Sequence, residues 1–255
     1  MISKLKRKLC GAVFLYNQYR DEGNILIYQM GKVGSTSLEN SLPNSIHVHT
    51  LFGNFFLPAD AKSGRDGEGV LGWIQRYGED LIKRLAIKRR KEIKIITLVR
   101  NPMARDMSMF FQDLPEWLSY YKKKFKYDTR SEDKDVLVKA FEGVYDSGYA
   151  LAWFDKEIYR LTGIDVFKYP LHLSGYCNAE KGKYQVLVIR SESMGSCADE
   201  IRAFTGFDIS VTNTNRGESK WYGGIYKNFK SDFKPSKRYI KKVQGSKLYK
   251  HFYEC

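Results

Sequence analysis

The sequence predicts an α/β protein, a three-layer sandwich around a central, mostly parallel sheet. Two observations carry this. The apolar, β-branched runs at residues 25–28 (ILIY), 93–99 (IKIITLV) and 184–189 (YQVLVI) read as strands buried on both faces. Each precedes a stretch with helical spacing of apolar residues, and that alternation of strand and helix builds parallel sheets. With 255 residues, 43% of them hydrophobic and 15% aromatic, the chain reads as one domain over 1–255 with a substantial core.

Residues 24–42, NILIYQMGKVGSTSLENSL, set the pattern. A short strand ends at Met30, a turn follows at Gly31-Lys32-Val33-Gly34, and Ser35, Thr36 and Ser37 open a helix carrying Leu38 and Leu42 on one face. N–H groups at a helix start, approached across glycines, make an anion site. The loop is not a Walker A motif, because Lys32 precedes Val33-Gly34 instead of following the second glycine.

Residues 45–51 (SIHVHTL) form a second strand with His47 and His49, half of the four histidines. Residues 52–70 are a glycine-bearing loop. Residues 71–90 are a helix whose exit, Lys88-Arg89-Arg90-Lys91, reads as a solvated basic end. The third strand, 93–99, runs into Arg100-Asn101-Pro102, and proline there starts a helix over 103–112. Ligands of α/β sheets gather at the carboxyl ends of strands, so both strand–loop–helix units are expected to face one crevice.

Residues 113–140, rich in lysine and aromatics, read either as a lid over an acidic acceptor or as solvated surface. Residues 148–161 form an amphipathic helix stopped by Thr162-Gly163. Residues 184–189 are the fourth strand, followed by Arg190-Ser191-Glu192 and a helix to about Phe204. Residues 213–255 are a C-terminal loop and a basic helix. There is no internal repeat.

The net charge of +14 favours acidic partners: nucleotides, anionic glycans, membrane surfaces or nucleic acid. No nucleic-acid module is recognisable. Cys10, Cys177, Cys197 and Cys255 have no metal spacing and read as thiols of a reducing compartment. The basic start and the apolar patch after it, residues 9–16, are too short to span a bilayer. A cytoplasmic protein is expected, with peripheral contact through the N-terminus at the inner face of the membrane.

Two of these stretches carry a resemblance. Lys-x-Gly-Ser/Thr-Ser/Thr at 32–36 resembles the 5′-phosphosulfate loop of sulfotransferases that use 3′-phosphoadenosine 5′-phosphosulfate (PAPS). Leu-Val-Arg-Asn-Pro-x5-Ser at 98–108 is similar to their 3′-phosphate site, an arginine ending a strand and a serine eight residues on. More softly, 153–167 (WFDKEIYRLTGIDVF) resembles bacterial sulfotransferase-like proteins of surface polysaccharides.

The resemblance implies a P-loop-like fold and transfer of a sulfuryl group from PAPS to a hydroxyl, a carbohydrate's or polysaccharide's, with 3′-phosphoadenosine 5′-phosphate (PAP) as product. Lys32 would meet charge on the leaving oxygen. Val33, Gly34, Ser35, Thr36 and Ser37 would hold the 5′-phosphate and sulfonate, and Arg100 and Ser108 the 3′-phosphate. A late loop with Arg216, Gly217 and Lys220 would close over it, although the family's Arg-Lys-Gly pattern is not reproduced. Glu192 fits an acidic position of structural role. A sulfuryl group carries less charge than a phosphoryl group, so fixed donors suffice and no metal is expected.

An alcohol acceptor needs a base. His49 is the first choice and His47 the second, since residues two apart on a strand share a face; Asp106, Asp113 and Glu116 are alternatives. Two other functions fit parts of the sequence: a P-loop nucleotide kinase or NTPase, and a non-catalytic polyanion-binding protein.

Overall fold

Among the described residues, strands at 25–28, 45–48, 93–99, 176–181 and 184–190, numbered β1 to β5 along the chain, pair into one sheet in the order β2-β1-β3-β5-β4. The structure is a computed structural model and describes residues 2–52, 70–125, 133–208 and 220–254. The architecture is α/β with a mostly parallel sheet. β1 (Ile25–Tyr28), β2 (Ser45–Val48), β3 (Ile93–Val99) and β5 (Tyr184–Arg190) run parallel, and β4 (Tyr176–Lys181) pairs antiparallel with β5 at one edge. All four residues of β1 are buried, as are six of the seven in β3, which accounts for their unbroken apolar sequences.

The order is what positions the site. β1 pairs with β2 on one side, Ile25 opposite Ser45, and with β3 on the other, Leu26 opposite Ile95. The chain leaves β1 in one direction along the sheet and later returns to β1's other side. That reversal is a topological switch point, the position at which open α/β sheets bind ligands outside the carboxyl ends of their strands.

Four strands were legible in the sequence; β4 was not. Its segment, YCNAEK, is polar because it lies at an edge, and only Cys177 and Ala179 turn inward. The two-residue turn Gly182-Lys183 returns it to β5, with Gly182 at φ +59° as the first central position of a hairpin turn demands. The N-terminal segment is a 19-residue helix, α1 (Ile2–Arg20), packed on α3 (Val70–Lys88). Among the described residues no helix is long and apolar enough to cross a membrane.

The basic run after α3 needs a correction. Arg90 is not a solvated end: it is buried, and its Nε and Nη1 donate at 2.6 Å to the carbonyl oxygens of Tyr19 and Asn24. One guanidinium thereby satisfies orphan carbonyls at and just beyond the end of α1.

The chain divides into two compact units. The first comprises 1–54, 68–99 and 153–212 and contains the sheet; the second comprises 55–67, 100–152 and 213–255. In the second unit, α4 (Pro102–Gln112), α5 (Leu114–Phe125), α6 (Lys134–Val144) and α10 (Gly223–Asp232) share an aromatic core. Phe141 meets Phe110, Tyr145, Phe229, Phe233 and Tyr239 at ring separations between 5.2 and 5.9 Å. The 113–140 segment, read as lid or surface, supplies Leu114, Trp117, Leu118, Val136, Leu137 and Ala140 to this core, while Lys122 to Lys124 occupy the last turn of α5.

Inside that core lies a closed polar cluster. Arg105 donates to Asp106 Oδ1 (3.1 Å) and to the Tyr145 hydroxyl (2.9 Å); Tyr145 and Tyr239 donate to Asp106 Oδ1 and Oδ2 at 3.1 and 2.9 Å. Burial pushes the Asp106 carboxyl up, opposed by the Arg105 charge and the hydroxyl donors. Removing one partner from such a pair strands a buried charge. Asp106→Ala is expected to cost about 3–5 kcal/mol in urea unfolding. Lys134→Ala, which breaks the exposed Lys134–Asp232 pair, is expected to change the midpoint far less.

Candidate active site

The site is built on the chain that leaves β1. Gly31, Lys32 and Gly34 all have left-handed backbones, with φ of +78°, +61° and +83°. Such a φ is ordinary for glycine and costs roughly 1–2 kcal/mol for a residue with a Cβ, so Lys32 sits in a conformation that its surroundings must impose. A Cβ on Gly34 would touch nothing within 4 Å, so its glycine answers to backbone torsion and not to space. Val33 is buried and anchors the turn, while Lys32 is half-buried. α2 (Thr36–Ser41) follows, a six-residue helix with Ser37 and Leu38 buried.

What holds the turn is Gln29, the residue after β1 and 1% exposed. Its Oε1 accepts the Gly31 N–H at 2.5 Å. Its Nε2 lies 2.5 Å from His47 Nε2, 3.2 Å from Ser35 Oγ and 3.3 Å from His49 Nδ1. Ser35 donates to Glu39 Oε1 at 2.5 Å, and the same oxygen lies 3.2 Å from His47 Nδ1. The His47 and His49 rings meet edge to face, 4.3 Å between centroids. The structure thus joins the loop serine Ser35 to both histidines through two residues the sequence reading did not single out, Gln29 and Glu39.

The histidines lie together because β2 alternates: Ile46 and Val48 point into the core and His47 outward, with His49 continuing that face. The chain beyond β2 is pinned by a π-helical turn, Phe154–Tyr159. Trp153 Nε1 donates to the His49 carbonyl at 3.2 Å, and the Leu51 N–H donates to Glu157 Oε2 at 2.9 Å. The Tyr28 hydroxyl, at the end of β1, donates to that same carboxylate oxygen. Turns of this kind are rare and concentrate at functional sites. Residues 153–157 are therefore the clamp on the β1 and β2 ends.

The remaining expected residues fall elsewhere in the chain. Arg100 follows Val99, the last residue of β3, and is half-buried. Asn101 caps α4, its Oδ1 accepting from Met103 and Ala104 N–H at 3.1 and 3.3 Å. Ser108 is half-buried on α4, one turn beyond Ala104. Val99 pairs in register with Arg190, so a second arginine ends a parallel strand at the same edge of the sheet. Lys220 is exposed ahead of α10, and Arg216 and Gly217 lie outside the described residues.

Among the alternative bases, Asp106 is ruled out by its engagement inside the aromatic core. Asp113 is buried at the end of α4, Glu116 is half-buried on α5, and Glu192 is exposed beyond β5. Among the described residues no three of His, Cys, Asp and Glu are grouped to hold a metal ion. Cys177 and Cys197 are buried free thiols, and burial pushes Cys177 up to about 12. No protein-family model, curated protein or solved structure matches the chain.

Burial and the neighbouring His49 hold the His47 pKa below its ordinary 6.5, with Glu39 pulling the other way. His47 is therefore neutral at pH 7. Because the folded value is depressed, the unfolded chain binds more protons between the two values. Stability from this group is complete above about 6.5 and falls as the pH drops through the window below it. NMR titration should place the His47 midpoint below 6.5, and Glu39→Gln should move it lower still.

Proposed function

We propose that the protein is a sulfotransferase that moves a sulfuryl group from PAPS to a hydroxyl, that of a carbohydrate or polysaccharide. The observation that carries the reading is the left-handed Gly31-Lys32-Val33-Gly34 turn, tied through Gln29 and Ser35 to a pair of histidines at a switch point of the sheet. Backbone N–H groups of successive residues in such a turn can form an anion cradle, that of Gly31 excepted, since it donates to Gln29 Oε1. A neutral histidine nearby is suited to take a proton.

In this reading the loop, Lys32 to Ser37, receives the 5′-phosphate and sulfonate in a P-loop-like manner. Arg100 and Ser108 hold the 3′-phosphate and set the donor's register, with closure by Arg216, Gly217 and Lys220. The acceptor oxygen attacks sulfur in line. Its bond to sulfur forms as the bond from sulfur to the phosphate oxygen breaks, the hydroxyl proton passes to a histidine, and PAP leaves with the electron pair. Lys32 meets the charge developing on that oxygen. The chemistry is largely positioning and charge stabilisation. The excess of basic residues, 43 against 29 acidic, suits a bisphosphorylated donor and anionic glycans.

The test is transfer of radiolabelled sulfate from PAPS to a panel of polysaccharides. Lys32→Ala should lower turnover on the order of 10²-fold or more, as for loss of a preorganised donor. Arg100→Ala should act mainly on KM for PAPS, because the 3′-phosphate contact is the same in ground and transition states. Transfer that survives Lys32→Ala, or Mg²⁺-dependent ATP turnover in place of transfer, contradicts the proposal.

A further inference from the structure

Gln29 has more neighbours than it has protons, and counting them assigns the His47 tautomer. Its amide orientation is settled by the Gly31 N–H at 2.5 Å, which needs an oxygen opposite it. The NH2 group is therefore turned to His47 Nε2 (2.5 Å), Ser35 Oγ (3.2 Å) and His49 Nδ1 (3.3 Å). An amide has two protons to give, and the two nearest acceptors take them. The Ser35 hydroxyl accepts one because its own proton goes to Glu39 at 2.5 Å. His47 accepts the other at Nε2, so its proton is on Nδ1, facing Glu39 at 3.2 Å. His49 Nδ1 lies 3.3 Å from the Gln29 backbone carbonyl as well as from its amide nitrogen, so both ends of Gln29 hold this ring.

We propose that Gln29 is a positioning residue whose buried side chain wires the loop to the histidine pair. In this wiring His47 is the holder, with both ring nitrogens committed, and His49, edge to face with it at 4.3 Å, is the ring that takes the acceptor's proton. Among the described residues, the titratable groups that act on His47 are Glu39 from α2 and His49. The destination of the proton rests on the sulfotransferase reading; the wiring does not.

Two measurements on the full chain test it. Long-range ¹H–¹⁵N correlation of the imidazoles at pH 8, without nucleotide, should show His47 as the Nδ1–H tautomer, the minor form of free histidine. Gln29→Glu keeps an oxygen for Gly31 but presents His47 with a carboxylate, which stabilises imidazolium. The His47 midpoint should cross from below 6.5 to above it. An Nε2–H His47 in the wild type, or a midpoint unmoved by Gln29→Glu, overturns the wiring even in an active enzyme. The stated His47 tautomer in a protein that fails to bind PAP supports the wiring and overturns the sulfotransferase reading instead.

Discussion

The central constraint is the parallel pairing of β1 on both of its sides. A strand buried among parallel neighbours must direct its carboxyl end to the same edge as theirs. The loop of residues 29–35, the end of β2 with His49 and the end of β5 with Arg190 are therefore brought to one edge by backbone hydrogen bonding alone. Arg100 is one peptide bond beyond β3. The apolar strand sequences stabilise this arrangement without specifying any chemistry; the residues just past the strand ends supply it, at no cost to the core.

A second constraint follows from placing polar groups at a buried edge. Gln29 is almost fully enclosed, and an amide stripped of water is expensive unless every donor and acceptor is matched. The match is made by Gly31, Ser35 and His47. The same bonds that satisfy Gln29 also hold the turn in which Lys32 takes a left-handed backbone. Strain at a lysine and saturation at a glutamine are two aspects of one local solution. The Glu157 carboxylate does the equivalent on the other side, accepting from Tyr28 at the end of β1 and from Leu51 beyond β2.

The strands with both faces buried were readable from sequence because burial leaves a contiguous apolar signature: the range expected for β3 matches residue for residue, and α4 begins at the proline where its start was expected. β4 escaped because an edge strand with a polar face has no such signature. Arg90 was misread because a run of like charges looks solvated in one dimension, and only the packing of α1 on α3 supplies the carbonyls it caps. The motif residues of the loop and the histidine pair were legible by spacing. Gln29 and Glu39 were not, since neither belongs to a motif and their roles come from β2 folding beside β1, although the i, i+4 spacing of Ser35 and Glu39 was an available sign.

The account reduces to whether the loop after β1 and the arginine after β3 serve one nucleotide that carries a phosphate at each end. Calorimetric titration of the chain with PAP, AMP and Mg²⁺–ATP measures this directly. The account requires PAP to bind, AMP to give no comparable heat, and Arg100→Ala to weaken PAP strongly. A preference for Mg²⁺–ATP, or PAP binding indifferent to both Lys32→Ala and Arg100→Ala, would contradict it.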